Sequence, residues 1–412
     1  MDAPHSTPKK RLEYRWVVIA TCFLMVFTCL GFCSSNKGLY LSAITEALGI
    51  KRSLFSMNDS FRYITTALVD LFFGATVIRL GARKMIAYGF LSLVLSMFLY
   101  SVAQSIWVFY LGGVFLGLGL AWTTTTMAGY VVNLWCKEHK GTIMGLVMAA
   151  NGLGGALATQ IVTPIIYQEG NPFGYQSAYR LVILILAAVG LISVLLFKNS
   201  PQEQTQEKKK TASADFTIRD ALRKPYFYLS SICVFFAGAS LQGVNGISAA
   251  HMTDMGMTTA YVSMAVSIHS LALAGSKFLG GLAHDKIGLK KTLLICDIFS
   301  ALAFLSLGLV RPGGLGQVLG IGYSLCSALG MPLQTVMLSL ISIGLFGQKG
   351  FNKMVGVYSA INTAGFAIGA PVANLLYEIF GSYRPFLFGL VVIMAGVAVL
   401  TQYSLHLAEK EA

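Results

Sequence analysis

G-A-T-V-I-R-L-G-A-R-K (Gly74–Lys84) returns half a chain later as G-L-A-H-D-K-I-G-L-K-K (Gly281–Lys291), at an offset of 207 in 412 residues. In both copies an apolar run precedes the segment, glycines stand where a helix must turn or pack closely, and cations follow where they can meet carboxylates and helix C-termini. A second correspondence links Gly145, Asn151 and Gly154 to Gly356, Asn362 and Gly365, at an offset of 211. Two halves related in parallel, each several helices long, are the simplest source of both correspondences.

Working outward from these repeats, the composition places the helices in a bilayer. Hydrophobic residues make up 55% and charged residues 11% of the chain, with a mean hydropathy of +0.69. Charge-free runs such as Trp16–Asn36, Gly141–Gln168 and Pro385–Ala408 are long enough to cross about 30 Å of hydrocarbon as helices. Dividing the apolar runs at charges, Gly and Pro gives spans near 16–41, 54–79, 84–103, 107–135, 140–168, 177–197, 225–253, 259–284, 290–310, 314–345, 351–380 and 384–407. The expected fold class is an all-α membrane protein of twelve transmembrane helices in two pseudo-symmetric six-helix bundles.

The expected domains are an N-terminal bundle over 1–197, a polar linker over 198–224 containing E-Q-T-Q-E-K-K-K-T-A-S-A-D, and a C-terminal bundle over 225–412. A net charge of +13 would suggest nucleic acid in a soluble chain, but here the cations are distributed by loop. With the N-terminus placed in the cytoplasm, twenty-two of the thirty Lys and Arg fall on the cytoplasmic face. Five (Lys51, Arg52, Arg180, Arg311, Arg384) fall opposite, and Lys37, Arg62 and Lys277 lie within spans. The expected location is therefore the cell membrane, multi-pass, with both termini cytoplasmic and no nucleic-acid partner. The basic start Lys9–Arg11 precedes a run too long for a signal-peptide core, so the first span is expected to stay attached. Seven cysteines, Cys22 to Cys326, are scattered through apolar runs without metal spacing, so neither a disulfide frame nor a metal site is expected.

The repeated loops resemble the major facilitator signature G-x-x-x-D-R/K-x-G-x-R/K-R/K. In the first copy Gly74, Arg79, Gly81 and Arg83 match, with Ile78 at the acidic position; in the second Gly281, Asp285, Lys286 and Gly288 match. Lys140–Gly155 and Gly369–Arg384, together with Arg15–Trp16 at the start of the first span, resemble stretches of the monocarboxylate transporter and oxalate:formate antiporter group. Ala373 and Glu378 stand where that group has Gly and Asp. The resemblance implies the major facilitator fold, with substrate bound between the halves near the middle of the membrane.

A cation inside a bundle costs at least about 2.5–3.5 kcal/mol unless hydrated or paired. Lys277 precedes Gly281 by four residues, as does the substrate-binding arginine of monocarboxylate transporters, so the resemblance implies a carboxylate-binding role with Lys in place of Arg. The alternative is a structural pair with a neighbouring acid. Lys37 loosely matches the lysine late in that group's first helix, with snorkelling to the outer interface as its alternative. Subtracting 207 from His269 and Lys277 gives Arg62 and Asp70. Each pair is eight residues apart, on one helix face about 12 Å apart along the axis.

Both pairs are therefore candidates for the translocation path, with Asp70 or His269 as proton site. An Asp59–Arg62 surface pair and structural bonding of Asp70 remain open as alternatives. Leu273 stands where monocarboxylate transporters place the aspartate of their proton relay. Gln242, Asn245 and Gln334 are further substrate-binding candidates, while these and Asn36, Asn151 and Asn362 could equally hold helices together.

The expected function is secondary active transport of small organic anions, monocarboxylates foremost, by alternating access with proton coupling or anion exchange. Export of larger amphipathic anions or drugs is the alternative, and a non-transporting membrane receptor or scaffold a third reading. The expected partners are a small carboxylate, the lipid bilayer and a proton or counter-anion, with the chain acting as a monomer. No phosphate-binding Gly-Lys loop, metal cluster or nucleophile constellation supports an enzyme, and no cofactor is expected.

Overall fold

The computed structural model describes residues 8–136, 140–198 and 218–411, which form an all-helical bundle. In the first half α1 (Pro8–Cys33) and α2 (Lys37–Leu48) make one interrupted rod, followed by α3 (Arg52–Leu80) and α4 (Ala82–Val102). Then come α5 (Ile106–Thr123) with α6 (Thr125–Trp135), α7 (Lys140–Ile166) and α8 (Gly174–Leu196). After the short α9 (Ile218–Leu222), the second half holds α10 (Pro225–Asp254) and α11 (Thr259–Gly308), which turns back at Gly288. It ends with α12 (Gly314–Gly330), a 3-10 turn (Met331–Gln334), α13 (Val336–Phe380), which turns at Gly347, and α14 (Arg384–Glu411). Most of the expected linker, residues 199–217, lies outside the described residues.

Among the described residues ten stretches are long and apolar enough to cross a membrane. The two remaining rods, α3 and the first part of α11, are the ones carrying Asp59, Arg62 and Asp70 and, in the other half, His269 and Lys277. Together they complete the twelve. Two expected boundaries shift: the first rod runs on to Leu48 across a break at residues 34–36, and the fourth is split at Thr124. Large apolar side chains on the outer surface, such as Leu71, Trp107, Leu315 and Val392 at 72–75% exposure, fit a lipid-facing belt.

The duplication is visible in the backbone itself. Gly81 (φ 75°) ends α3 and Gly288 (φ 80°) turns α11, 207 residues apart; both dihedrals lie where a side chain is strained, which is why the repeated loops keep Gly there. Two more positive-φ glycines pair by the same offsets, Gly49 with Gly256 and Gly170 with Gly381. The interruption of the fourth rod at Thr124 recurs 211 residues later at Thr335, inside the tenth. Close backbone packing recurs as well: a Cβ on Gly154 would strike Phe27 of α1, and one on Gly365 would strike Phe235 of α10. Within each half the rods pack on one another, and the halves meet where α3 lies on α13, α7 on α11 and α2 on α10.

Candidate functional site

The halves are joined at the end of the bundle away from the termini. Arg52 opens α3 and binds Asp254, the last residue of α10, through two parallel bonds of 2.5 and 2.9 Å, while its guanidinium packs over the Tyr377 ring at 4.6 Å. The backbone N–H of Ser53 donates to Glu378 at 2.9 Å. Deeper along the same seam the Ser60 hydroxyl donates to the Ala367 carbonyl. Tyr63 meets Phe366 edge to face and accepts a 2.6 Å bond from the Gln242 amide. On the other seam Gln160 donates to Ser267 at 2.8 Å, and α7 approaches α11 so closely that a Cβ on Gly152 would strike the Ser270 carbonyl.

Toward the termini the seams part. A Cβ added there at Gly145, Gly275 or Gly356 would meet nothing within 4 Å. Lys277 lies just below the seal, three residues after Ala274, which packs on Gly152. That spacing puts its side chain on the α11 face turned toward the other half. Among the described residues the Lys277 ammonium has no acidic partner and no hydrogen bond. Asp70, its counterpart in the repeat, lies on α3 beside Thr126 of α6, with its Oδ1 buried and unpartnered.

The other two cations of the spans are already paired. Lys37 Nζ is 2.5 Å from Asp59 Oδ2, and Arg62 Nη1 is 3.5 Å from Asp59 Oδ1. Arg62 also donates to the Ser34 hydroxyl at 3.2 Å, and both cations lie against the Tyr63 ring, at 4.2 Å for Arg62 and 5.5 Å for Lys37. Lys37 is thus turned inward onto an acid and not out toward an interface. The Asp59–Arg62 pair is internal as well, with Arg62 only 3% exposed. One carboxylate serves two cations, leaving the cluster a net positive charge of one.

Beside this cluster is a neutral polar pocket lined by Asn36, Asn245, Ser248, His269 and Tyr323. His269 Nδ1 is 3.1 Å from the Ser324 carbonyl; a carbonyl only accepts, so Nδ1 carries the proton and Nε2 is left as an acceptor. His269 Nε2, the Tyr323 hydroxyl and Asn36 Nδ2 are buried without partners, and Asn36 also borders the Lys37–Asp59–Arg62 cavity. Asn245 joins this pocket, Gln242 is committed to Tyr63, and Gln334 points at the Ala237 and Gly238 carbonyls of α10 at 3.4 and 3.3 Å. Asn151 accepts from Ser35 at 3.0 Å and Asn362 donates to the Gln334 carbonyl at 3.3 Å, both bridging helices.

Of the loop-motif residues, Gly74 and Gly281 lie inside helices, Arg79, Asp285 and Lys286 are exposed, and Arg83 donates to the Val194 carbonyl at 2.8 Å. Sequence reasoning missed the Arg52–Asp254 lock, the double duty of Asp59, and Asp297, which is 1% exposed inside α11. Only Asp297 carried a local signal, as the lone charge in an apolar run.

The family model described as "Major Facilitator Superfamily" matches residues 21–344 and 230–411. The chain is 26% identical over 352 residues to multidrug resistance protein 2 of Bacillus subtilis, covering 82% of each. It is 24% identical over 265 residues to the sialic acid transporter NanX of Escherichia coli, covering 62% of each, so it spans less than two thirds of that relative's length. Among solved structures it resembles the nucleoside transporter NupG with a TM-score of 0.76 at 14% identity, covering 95% of this chain and 98% of that one.

Proposed function

The chain belongs to the major facilitator superfamily, and from that premise we propose that it carries small organic anions, monocarboxylates foremost, by alternating access. The observation behind this reading is the Lys277 ammonium: of Lys37, Arg62 and Lys277 it is the one without an acidic partner among the described residues, placed where the opening between the halves meets the seal. Burial of such a charge is offset once a carboxylate lies against it. The net positive charge of the Lys37–Asp59–Arg62 cluster adds a second attraction for an anion, and Asn36, Asn245, His269 and Tyr323 offer hydrogen bonds to its polar body. The resemblance to monocarboxylate and oxalate:formate carriers agrees with this, as does the sialic acid carried by one relative.

The excess of Lys and Arg on one set of loops puts both termini in the cytoplasm of a cell-membrane protein. The seal at Arg52–Asp254 then closes the outside and the opening faces inward. Residues 198–224 tether the two bundles of one monomer. Asp70 or His269 serves as the proton site in symport; anion exchange needs neither.

Purified protein in liposomes should take up or exchange a labelled monocarboxylate saturably, and Lys277→Ala should abolish this while melting as the wild type does. Full activity in the folded variant refutes the role. The similarity to a multidrug resistance protein over 82% of the chain favours a second reading, export of larger amphipathic anions. Stronger thermal stabilisation by bulky amphiphilic acids than by small ones would select it.

A further inference from the structure

Asp297 lies on α11 beyond the Gly288 turn, away from both seams between the halves. It is 1% exposed, and neither carboxylate oxygen has a hydrogen-bond partner among the described residues. It faces a narrow cavity walled by Ser230 and Cys233 of α10, Thr401 and Ser404 of α14, and Leu333 of the 3-10 turn, with room for about one water-sized occupant. An ionised carboxylate in such surroundings without a counter-charge costs several kcal/mol.

Among the described residues that wall the cavity there is no Lys, Arg or His. The groups with titratable protons near Asp297 are the thiols of Cys233 on α10 and Cys296 on its own helix. From α13 comes the Tyr358 hydroxyl, one hydrogen bond away through Ser230. The α14 wall contributes only hydroxyls and apolar groups. The repeat supplies an independent comparison. The matching position of the first half, 207 residues earlier, is Phe90, a 4% exposed core residue. The fold thus fills this place with a hydrocarbon in one half and a carboxylate in the other, so packing alone does not call for the acid.

We propose that Asp297 is a monovalent-cation site in the core of the second half, holding a proton or a sodium ion and separate from the substrate path. A proton neutralises the carboxylate directly. A sodium ion takes oxygen ligands, which the carboxylate and the hydroxyls of Ser230, Thr401 and Ser404 supply. The site borders the interruption of the tenth rod, where Leu333 forms its wall and the adjacent Gln334 reaches the α10 carbonyls. Occupancy therefore bears on how α10 packs against that interruption.

The test is the melting temperature of the full chain in lipid nanodiscs without any organic acid, so that its result does not depend on the transport reading. Wild type and Asp297→Asn are compared in choline and sodium buffers at about pH 5.5 and about pH 8.5; a cation bound only by the folded protein stabilises it. A proton site gives a wild-type melting temperature that falls as pH rises, whatever the salt, with that fall lost or sharply reduced in Asp297→Asn. A sodium site gives a rise on adding sodium at about pH 8.5 that Asp297→Asn lacks. A wild type that melts alike in all four buffers, or a variant that responds as the wild type does, overturns the proposal. Should Asn at this position prevent folding, Asp297→Leu, which copies the apolar character of Phe90, takes its place.

Discussion

Breaking the Arg52–Asp254 lock should shift the balance between the two sides of the transporter without unfolding either half, because the pair joins α3 of one half to α10 of the other. The side chains are 11% and 18% exposed, between a surface pair worth about 0–1 kcal/mol and a buried one whose rupture costs about 3–5 kcal/mol. Bidentate geometry and the Tyr377 ring under the guanidinium favour the middle of that range. About 2 kcal/mol is a reasonable expectation for Asp254→Asn, a change of about 25–30-fold in the ratio of closed to open at this end.

Spin labels at the exposed positions Lys51 and Thr259 report that end, and labels at Lys84 and Lys286 report the other. The 51–259 distance distribution should gain a longer component in Asp254→Asn, while the 84–286 distribution gains a shorter one. A double-mutant cycle with Arg52→Ala isolates the pair from other effects of either change. Unchanged distributions, or a coupling below about 0.5 kcal/mol, would refute the assignment of this pair as the lock.

Asp59→Asn should leave Lys37 and Arg62 together without a carboxylate, costing about 3 kcal/mol and lowering the melting temperature, with partial recovery in the Asp59→Asn/Lys37→Met double variant. Gly152→Ala should push a methyl group into the Ser270 carbonyl and disfavour the closed seam by about 1–3 kcal/mol, read with the same spin-label pairs, whereas Gly145→Ala, facing open space, should change neither distance. Tyr63→Phe should remove the acceptor of the Gln242 amide and weaken the seal by about 1 kcal/mol, a smaller shift in the same direction as Asp254→Asn.

Much of the fold could be read from Gly81 and Gly288. Their repeated loops mark where helices must reverse, and the apolar runs on either side have the length a bilayer demands. The interruptions were harder to read. Ser34–Asn36 and the run Thr123–Thr126 are polar but contain neither Gly nor Pro, and their weak helix propensity alone does not mark a break inside an apolar run.

In the candidate site, Lys37, Arg62 and Lys277 stood out because charge in hydrocarbon is costly wherever it falls. Which of them is neutralised was not legible. Asp59 lies 22 residues from Lys37 and is shared with Arg62, and such sharing depends on how α3 lies against the break between α1 and α2. Arg52 and Asp254 are 202 residues apart, each at a helix end, and no periodicity connects them. Asp297 lacks a charged counterpart in the repeat, so a reading guided by symmetry passed over it.

The central claim is that Lys277 stays unpaired within the protein because its partner is the cargo. A cryo-EM map of the chain bound to a transported carboxylate tests it most directly. A carboxylate oxygen should lie within about 4 Å of Lys277 Nζ. A map in which the ammonium engages a protein carboxylate, with the bound acid elsewhere, would contradict it.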